Sequence, residues 1–147
     1  MISLMVLRSG LPGVALAACV MFASPVFAET IPFKADLKAS EEVPPNDSKA
    51  TGTVTATYDT ASKKLTWKGN YSGLTGPATM AHFHGPAEPG KNAGVAVPIT
   101  PSASPFENSA NLTDAQAADL LAGRWYVNVH TGAHPGGEIR GQLVKGM

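Results

Sequence analysis

Alternation with a period of two dominates this chain. In TGTVTATYD (Thr51–Asp59), Val54, Ala56 and Tyr58 are separated by threonines, and residues two apart share one face of a strand. KKLTWKGNYSGL repeats the pattern, with Leu65, Trp67, Gly69 and Tyr71 on one face and Thr66, Lys68 and Asn70 on the other. Between the two runs, Asp59-Thr60-Ala61-Ser62 reads as a short hairpin connection. Turn-forming residues then recur at strand-like spacing, at Pro44-Pro45, Gly73, Gly76-Pro77, Gly85-Pro86, Pro89-Gly90 and Pro135-Gly136-Gly137. The pattern predicts strands over 31–39, 50–58, 64–72, 78–84, 94–99, 105–110, 124–130 and 138–145. About seven to eight short strands with frequent turns specify an all-β sandwich or barrel.

One helix interrupts the strands. Thr113 is placed as an N-cap with Gln116 three residues on, a capping box, and Gly123 is suited to the C-cap. The spacing predicts a connecting helix over about 113–122, with Ala115, Ala118, Leu121 and Ala122 on its packed face. The stretch EEVPPNDSK (Glu41–Lys49) reads as an exposed connection. Trp67 and Trp125 fall on the apolar faces of their strands, which favours core packing over stacking on a sugar.

Residues 1–28 are set apart from the fold. One basic residue, Arg8, precedes a run of apolar and small residues, and Val26-Phe27-Ala28 has the form of a signal-peptidase site. Gly10, Pro12, Gly13 and Pro25 make a permanent membrane span a poor reading. Leu16-Ala17-Ala18-Cys19 has the form of a lipoprotein box, but the chain stays apolar after Cys19, so cleavage after Ala28 is favoured. Residues 29–147 are then a single periplasmic or secreted domain without cysteine, hence without disulfides or thiolate metal sites. The chain carries 11 basic and 11 acidic side chains with no basic run, which gives no electrostatic basis for binding nucleic acid. A monomer is expected.

The histidines carry the chemical interest. There are 4 in the chain, and they fall in two short segments, MAHFHGPAEPG and VNVHTGAHPGG. On a strand, Met80, His82 and His84 project together, about 6.6 Å per pair along the chain, with Ala81 and Phe83 on the core side. In the second segment Trp125, Val127 and Val129 form the apolar set, leaving Tyr126, Asn128 and His130 on the other face. If these strands are neighbours, His82, His84 and His130 converge, and Pro135-Gly136-Gly137 can fold His134 toward them. Imidazole suits copper, zinc and nickel, and a thioether from Met80 would favour copper(I). No carboxylate cluster accompanies them, which argues against calcium or magnesium. The alternative is that His82 and His84 decorate a solvated face while His130 and His134 cap a loop. Glu138 and Arg140 alternate on the last strand, as an anion-binding pair or, better, a surface ion pair.

The combination of EEVPP, TGTVTATYD, YSGLTGPATMAHFHGPA, LLAGRWYVNVHT and HPGGEIRGQL resembles the CHRD domain, the module repeated in chordin and found singly in secreted bacterial proteins. The resemblance implies an extracytoplasmic all-β domain and no particular activity. A fainter similarity, carried by His82-Phe83-His84-Gly85 and the late Gly136-Gly137-Glu138-Ile139-Arg140-Gly141, is to copper/zinc superoxide dismutase. It implies His82, His84 and His130 as metal ligands and Arg140 as an anion guide, though this chain lacks that enzyme's disulfide cysteines and its zinc loop. The expected fold is thus a Greek-key, immunoglobulin-like or superoxide-dismutase-like β-sandwich. The leading expectation for function is a non-enzymatic protein binding a transition metal, copper ahead of zinc, through His82, His84, His130 and His134 with Met80. The alternatives are a module that engages another extracytoplasmic protein or a polysaccharide, and a dismutase-like copper enzyme.

Overall fold

The computed structural model describes residues 27–146; the proposed signal peptide up to residue 26, with Cys19, lies outside them. Among the described residues, nine strands form one antiparallel sheet that curls into a nearly closed, barrel-like sandwich. In chain order they are β1 (Thr30–Lys38), β2 (Thr51–Asp59), β3 (Lys64–Ser72), β4 (Ala78–His84), β5 (Val95–Pro98), β6 (Phe106–Asn111), β7 (Tyr126–Thr131), β8 (Ile139–Gln142) and β9 (Val144–Lys145). Their spatial order is β5-β4-β7-β8-β1-β2-β3-β6, with β9 added on β1. The two ends of that order, β5 and β6, are consecutive in the chain, so the loop between them crosses the gap between the sheet's free edges. Among the described residues, no helix is long and apolar enough to cross a membrane.

The period-two reading holds residue by residue on β2 and β3. Val54, Ala56 and Tyr58 are buried, as are Leu65 and Trp67, and they pair across the ladder as Ala56 with Trp67 and Tyr58 with Leu65. The hairpin between them is tied by Asp59 Oδ1, which accepts from Ser62 N at 2.7 Å, and closes through Lys63 in the left-handed region at φ 57. The core continues through Phe83, whose ring meets Trp67 edge-on at 5.1 Å and Trp125 at 5.9 Å. Both tryptophans are core residues, as their positions on the strands imply.

Helix α1 (Asp114–Leu121) has the expected capping box, with Thr113 accepting from Gln116 N and Gln116 accepting from Thr113 N. Its packed face differs from the expectation. Ala117 and Leu120 are buried with Leu121 packed beside them, while Ala115, Ala118 and Ala122 face solvent. Alanines have little surface to bury, so the leucines of the last turn set the rotation. Gln116 Nε2 also donates to Ala96 O at 3.0 Å, which pins the first turn to β5.

Two further expectations are corrected. The strand expected over 138–145 is broken at Leu143, a fully buried residue whose N–H donates to Trp125 O at 2.9 Å instead of to a neighbouring ladder. The Glu41–Lys49 segment is not simply an exposed connection. It opens in a single 3-10 turn (Ala39–Glu41), buries Glu42, and sends Asn46 and Ser48 back to Glu138.

Candidate metal centre

Strands β4 and β7 are neighbours, in the register Met80 with His130, His82 with Asn128 and His84 with Tyr126. Ala81 and Phe83 enter the core, and the histidines take the other face. That register places His130 diagonally across from His82, and one ring nitrogen from each of His82, His84 and His130 lies within 4.8 Å of the others. The closest approach is His82 Nδ1 to His130 Nε2, 3.2 Å. Ring centroids stand 5.1 Å apart for His82 and His130, 5.4 Å for His82 and His84, and 6.3 Å for His84 and His130.

Two of these rings are oriented by backbone carbonyls. His84 Nδ1 lies 2.9 Å from Ala93 O, and His130 Nδ1 lies 2.9 Å from Pro135 O. A carbonyl only accepts, so Nδ1 carries a proton in both rings, and the neutral form of His130 has its lone pair on Nε2. Outer hydrogen bonds of this kind fix the tautomer of metal-binding histidines. His82 Nδ1–H then donates to the His130 lone pair. Nε2 of His84 faces a second acceptor, Asn128 Oδ1 at 3.0 Å, so a ligand lone pair on that nitrogen requires the Asn128 amide to turn its Nδ2 toward the ring.

The electrostatics favour the neutral form of His82 and His84. Burial lowers the His82 value below that of an ordinary imidazole, and positive charge on His130 or His84 would lower it further. Burial also lowers His84, against the opposing effect of its hydrogen bonds to Ala93 and Asn128. His84 and His130 are buried, while His82 is half-exposed and forms the open side. No aspartate or glutamate joins the group among the described residues.

A second layer holds the first. Tyr126 stacks flat on His84, 4.8 Å between centroids at an interplanar angle of 3°. The Arg140 guanidinium lies 3.5 Å from the centre of the same tyrosine ring. Arg140 also donates to Asn92 Oδ1 at 2.8 Å and to Lys91 O at 2.6 Å, and Ala93 N donates to Tyr126 Oη at 3.2 Å. These contacts hold the loop that presents Ala93 O to His84.

Arg140 is only 2 % exposed, so the structure does not support the anion guide that the dismutase similarity implies. Glu138 and Arg140 are not a surface ion pair either. Glu138 is fully buried and accepts from Ser48 Oγ at 2.6 Å, Thr131 Oγ1 at 2.7 Å, and Thr75 N and Oγ1 at 2.9 and 2.8 Å. Burial pushes its carboxyl up, but these hydrogen bonds prevail and hold it at about 2. Period-two reasoning put both residues on a wet face because it could not register the loops that cover that face.

His134 stands outside the group of three. Its main chain builds the turn after β7, donating to Thr131 O at 3.2 Å and accepting from Gly137 N at 3.0 Å. That turn aims Pro135 O at His130. Met80 is opposite His130 in the register and 47 % exposed.

Sequence reasoning did not find the roles of Asn128, Tyr126 and Glu42. Glu42 is buried, and its Oε1 has no hydrogen-bond partner. It occupies the space where a side chain on Gly137 would lie, and Gly137 itself has φ 127. Burial pushes the Glu42 carboxyl up to about 7, against the opposing pull of the Arg140 charge and the Asn128 amide. The sequence signal available for this was the glycine pair at 136–137, which marks a close approach without naming the group that approaches.

No curated protein and no solved structure matched the chain in the comparisons. The family model of the CHRD domain matches residues 33–143, which span nearly all the strands just described. The chain therefore belongs to the CHRD-domain family.

Proposed function

We propose that this protein is an extracytoplasmic, non-enzymatic binding protein that holds a transition metal, copper in preference to zinc, through His82, His84 and His130. The observation that carries the reading is the convergence of three imidazoles, one ring nitrogen of each within 4.8 Å of the others, with Nδ1 of His84 and of His130 committed to backbone carbonyls. Metal–nitrogen bonds are about 2 Å, so ligands around one ion stand roughly 3 Å apart, close to the 3.2 Å between His82 and His130. An all-nitrogen donor set without carboxylates suits copper or zinc and disfavours magnesium and calcium. Copper ranks ahead of zinc because it lies higher in the affinity order for such sites.

The test is titration of the metal-free protein with copper(II) and zinc, repeated on His82→Ala and His130→Ala. The expected result is one ion per chain, with affinity reduced at least about tenfold in either variant. Equal uptake by all three proteins would eliminate the site. The extracytoplasmic placement rests on the N-terminal sequence pattern, and the mass of the secreted chain tests it. Cleavage after Ala28 gives a chain beginning at Glu29, whereas lipidation at Cys19 gives a larger, acylated one.

A further inference from the structure

We infer that Met80 is an oxidation-state-selective fourth ligand, so that this site takes copper(I) ahead of copper(II) and zinc and exchanges it through the opening beside His82. The inference rests on the three-histidine reading above and assigns the cargo and its route. Met80 is two residues before His82 on the same face of β4 and directly opposite His130 on β7. Directly opposed residues of antiparallel strands have Cβ atoms about 4.5–5.5 Å apart. Methionine, with three rotatable bonds, can bend its thioether across such a gap.

The position is unusual for a methionine. It leaves nearly half of a large apolar side chain in water at mid-strand, while Ala81 and Phe83 on the opposite face are completely enclosed. Packing does not account for it. A cavity of about 410 Å³ opens there, bounded by Met80, His82 and the loop from Pro98 to Ala103. His84 and His130 are buried and His82 is half-exposed, so His82 is the most accessible of the three rings and borders the cavity together with Met80. A soft thioether binds copper(I) well and adds little for zinc. A single thioether at the mouth of a three-imidazole site therefore discriminates by oxidation state and supplies a ligand that can hand the ion outward.

The experiment uses the full secreted chain and its Met80→Leu variant, a nearly volume-conserving change that a strand tolerates. Copper(I) affinity is read by competition with a chromophoric copper(I) chelator under reductant, and zinc affinity by a separate titration. The expected result is a copper(I) affinity at least about tenfold weaker in Met80→Leu, with zinc affinity changed less than about twofold. X-ray absorption of the copper(I) form should show one sulfur scatterer, absent from the variant. Unchanged copper(I) affinity would overturn the inference, as would an equal fall for both metals, which marks a structural role. If wild type binds zinc and His130→Ala does not, a null result at Met80 sinks this inference alone. If wild type binds neither metal, the three-histidine reading falls with it.

Discussion

The two halves of this sheet obey different rules. Along β2 and β3 burial alternates with sequence, and one face is wet. All six residues of β7 are buried, although Tyr126, Asn128 and His130 are polar or amphipathic. The difference lies in what covers the sheet. Over β7 and β8 lie Glu42, the loop at Asn92-Ala93 and the turn at Pro135–Gly137, and the loop and the turn supply hydrogen-bond partners to the face they shield. Over β2 and β3 there is a shallow cavity of about 730 Å³, bounded mainly by threonines, lysines and other exposed polar groups. The larger hollow holds no histidine, aspartate or buried charged group among its lining residues.

Substitutions can break or sharpen this contrast. The largest effect is expected for Glu138→Ala, which strands buried donors from Ser48, Thr75 and Thr131. Urea unfolding should show a loss of about 3–5 kcal/mol. A loss below about 1 kcal/mol would mean that the covered face is not held by its polar contacts. Because the folded-state value of Glu138 lies below the ordinary 4.5, its contribution is present above pH 4.5 and fades as pH falls toward 2.

Glu42 has the opposite sign. Its folded-state value is raised from 4.5 to about 7, so its contribution is complete below pH 4.5 and is lost as pH rises through 7. The lowered histidines oppose it, since stability tied to neutral His82 and His84 is present above the ordinary 6.5 and lost as pH falls. The comparison is therefore Glu42→Gln against wild type at pH 4.5 and pH 8. The variant should gain about 3 kcal/mol relative to wild type between those values, at most. An unchanged difference would show that Glu42 ionises without cost.

Gly85→Ala should cost about 1–3 kcal/mol in thermal or urea unfolding, since a methyl there overlaps the Trp125 ring and Arg124 O immediately beside His84. Metal affinity should fall with it if the end of β4 positions His84. The smallest effect belongs to the wet half. Lys34 and Asp36 form an ion pair at 3.0 Å with both side chains more than half exposed. Asp36→Asn should shift stability by less than about 0.5 kcal/mol and lose even that in high salt. A shift above 1 kcal/mol would erase the distinction between the halves.

The same contrast explains what could be read from the sequence. Strand alternation is a signal of one dry and one wet face, so β2, β3 and the core side of β4 were legible from Val54, Trp67 and Phe83. The pairing of His82 and His84 followed from parity alone. Parity says nothing about a covering layer built from distant segments, and for that reason Glu138, Arg140 and Glu42 were misread as surface groups. Helix α1 was legible in its cap, which is local, and not in its face, which depends on where Leu120 finds a cavity to fill.

The order of the strands has one more consequence. Topologically the sheet is a ring with a single seam, bridged by the loop between β5 and β6. The start of β1 and the end of β9 meet elsewhere on the ring, where Gly146 N donates to Pro32 O at 2.8 Å. A chain rejoined there by a short linker and reopened within residues 99–105 would keep every ladder, since none crosses the seam. Such a permuted protein would retain the histidine face while freeing the rim of the cavity beside Met80.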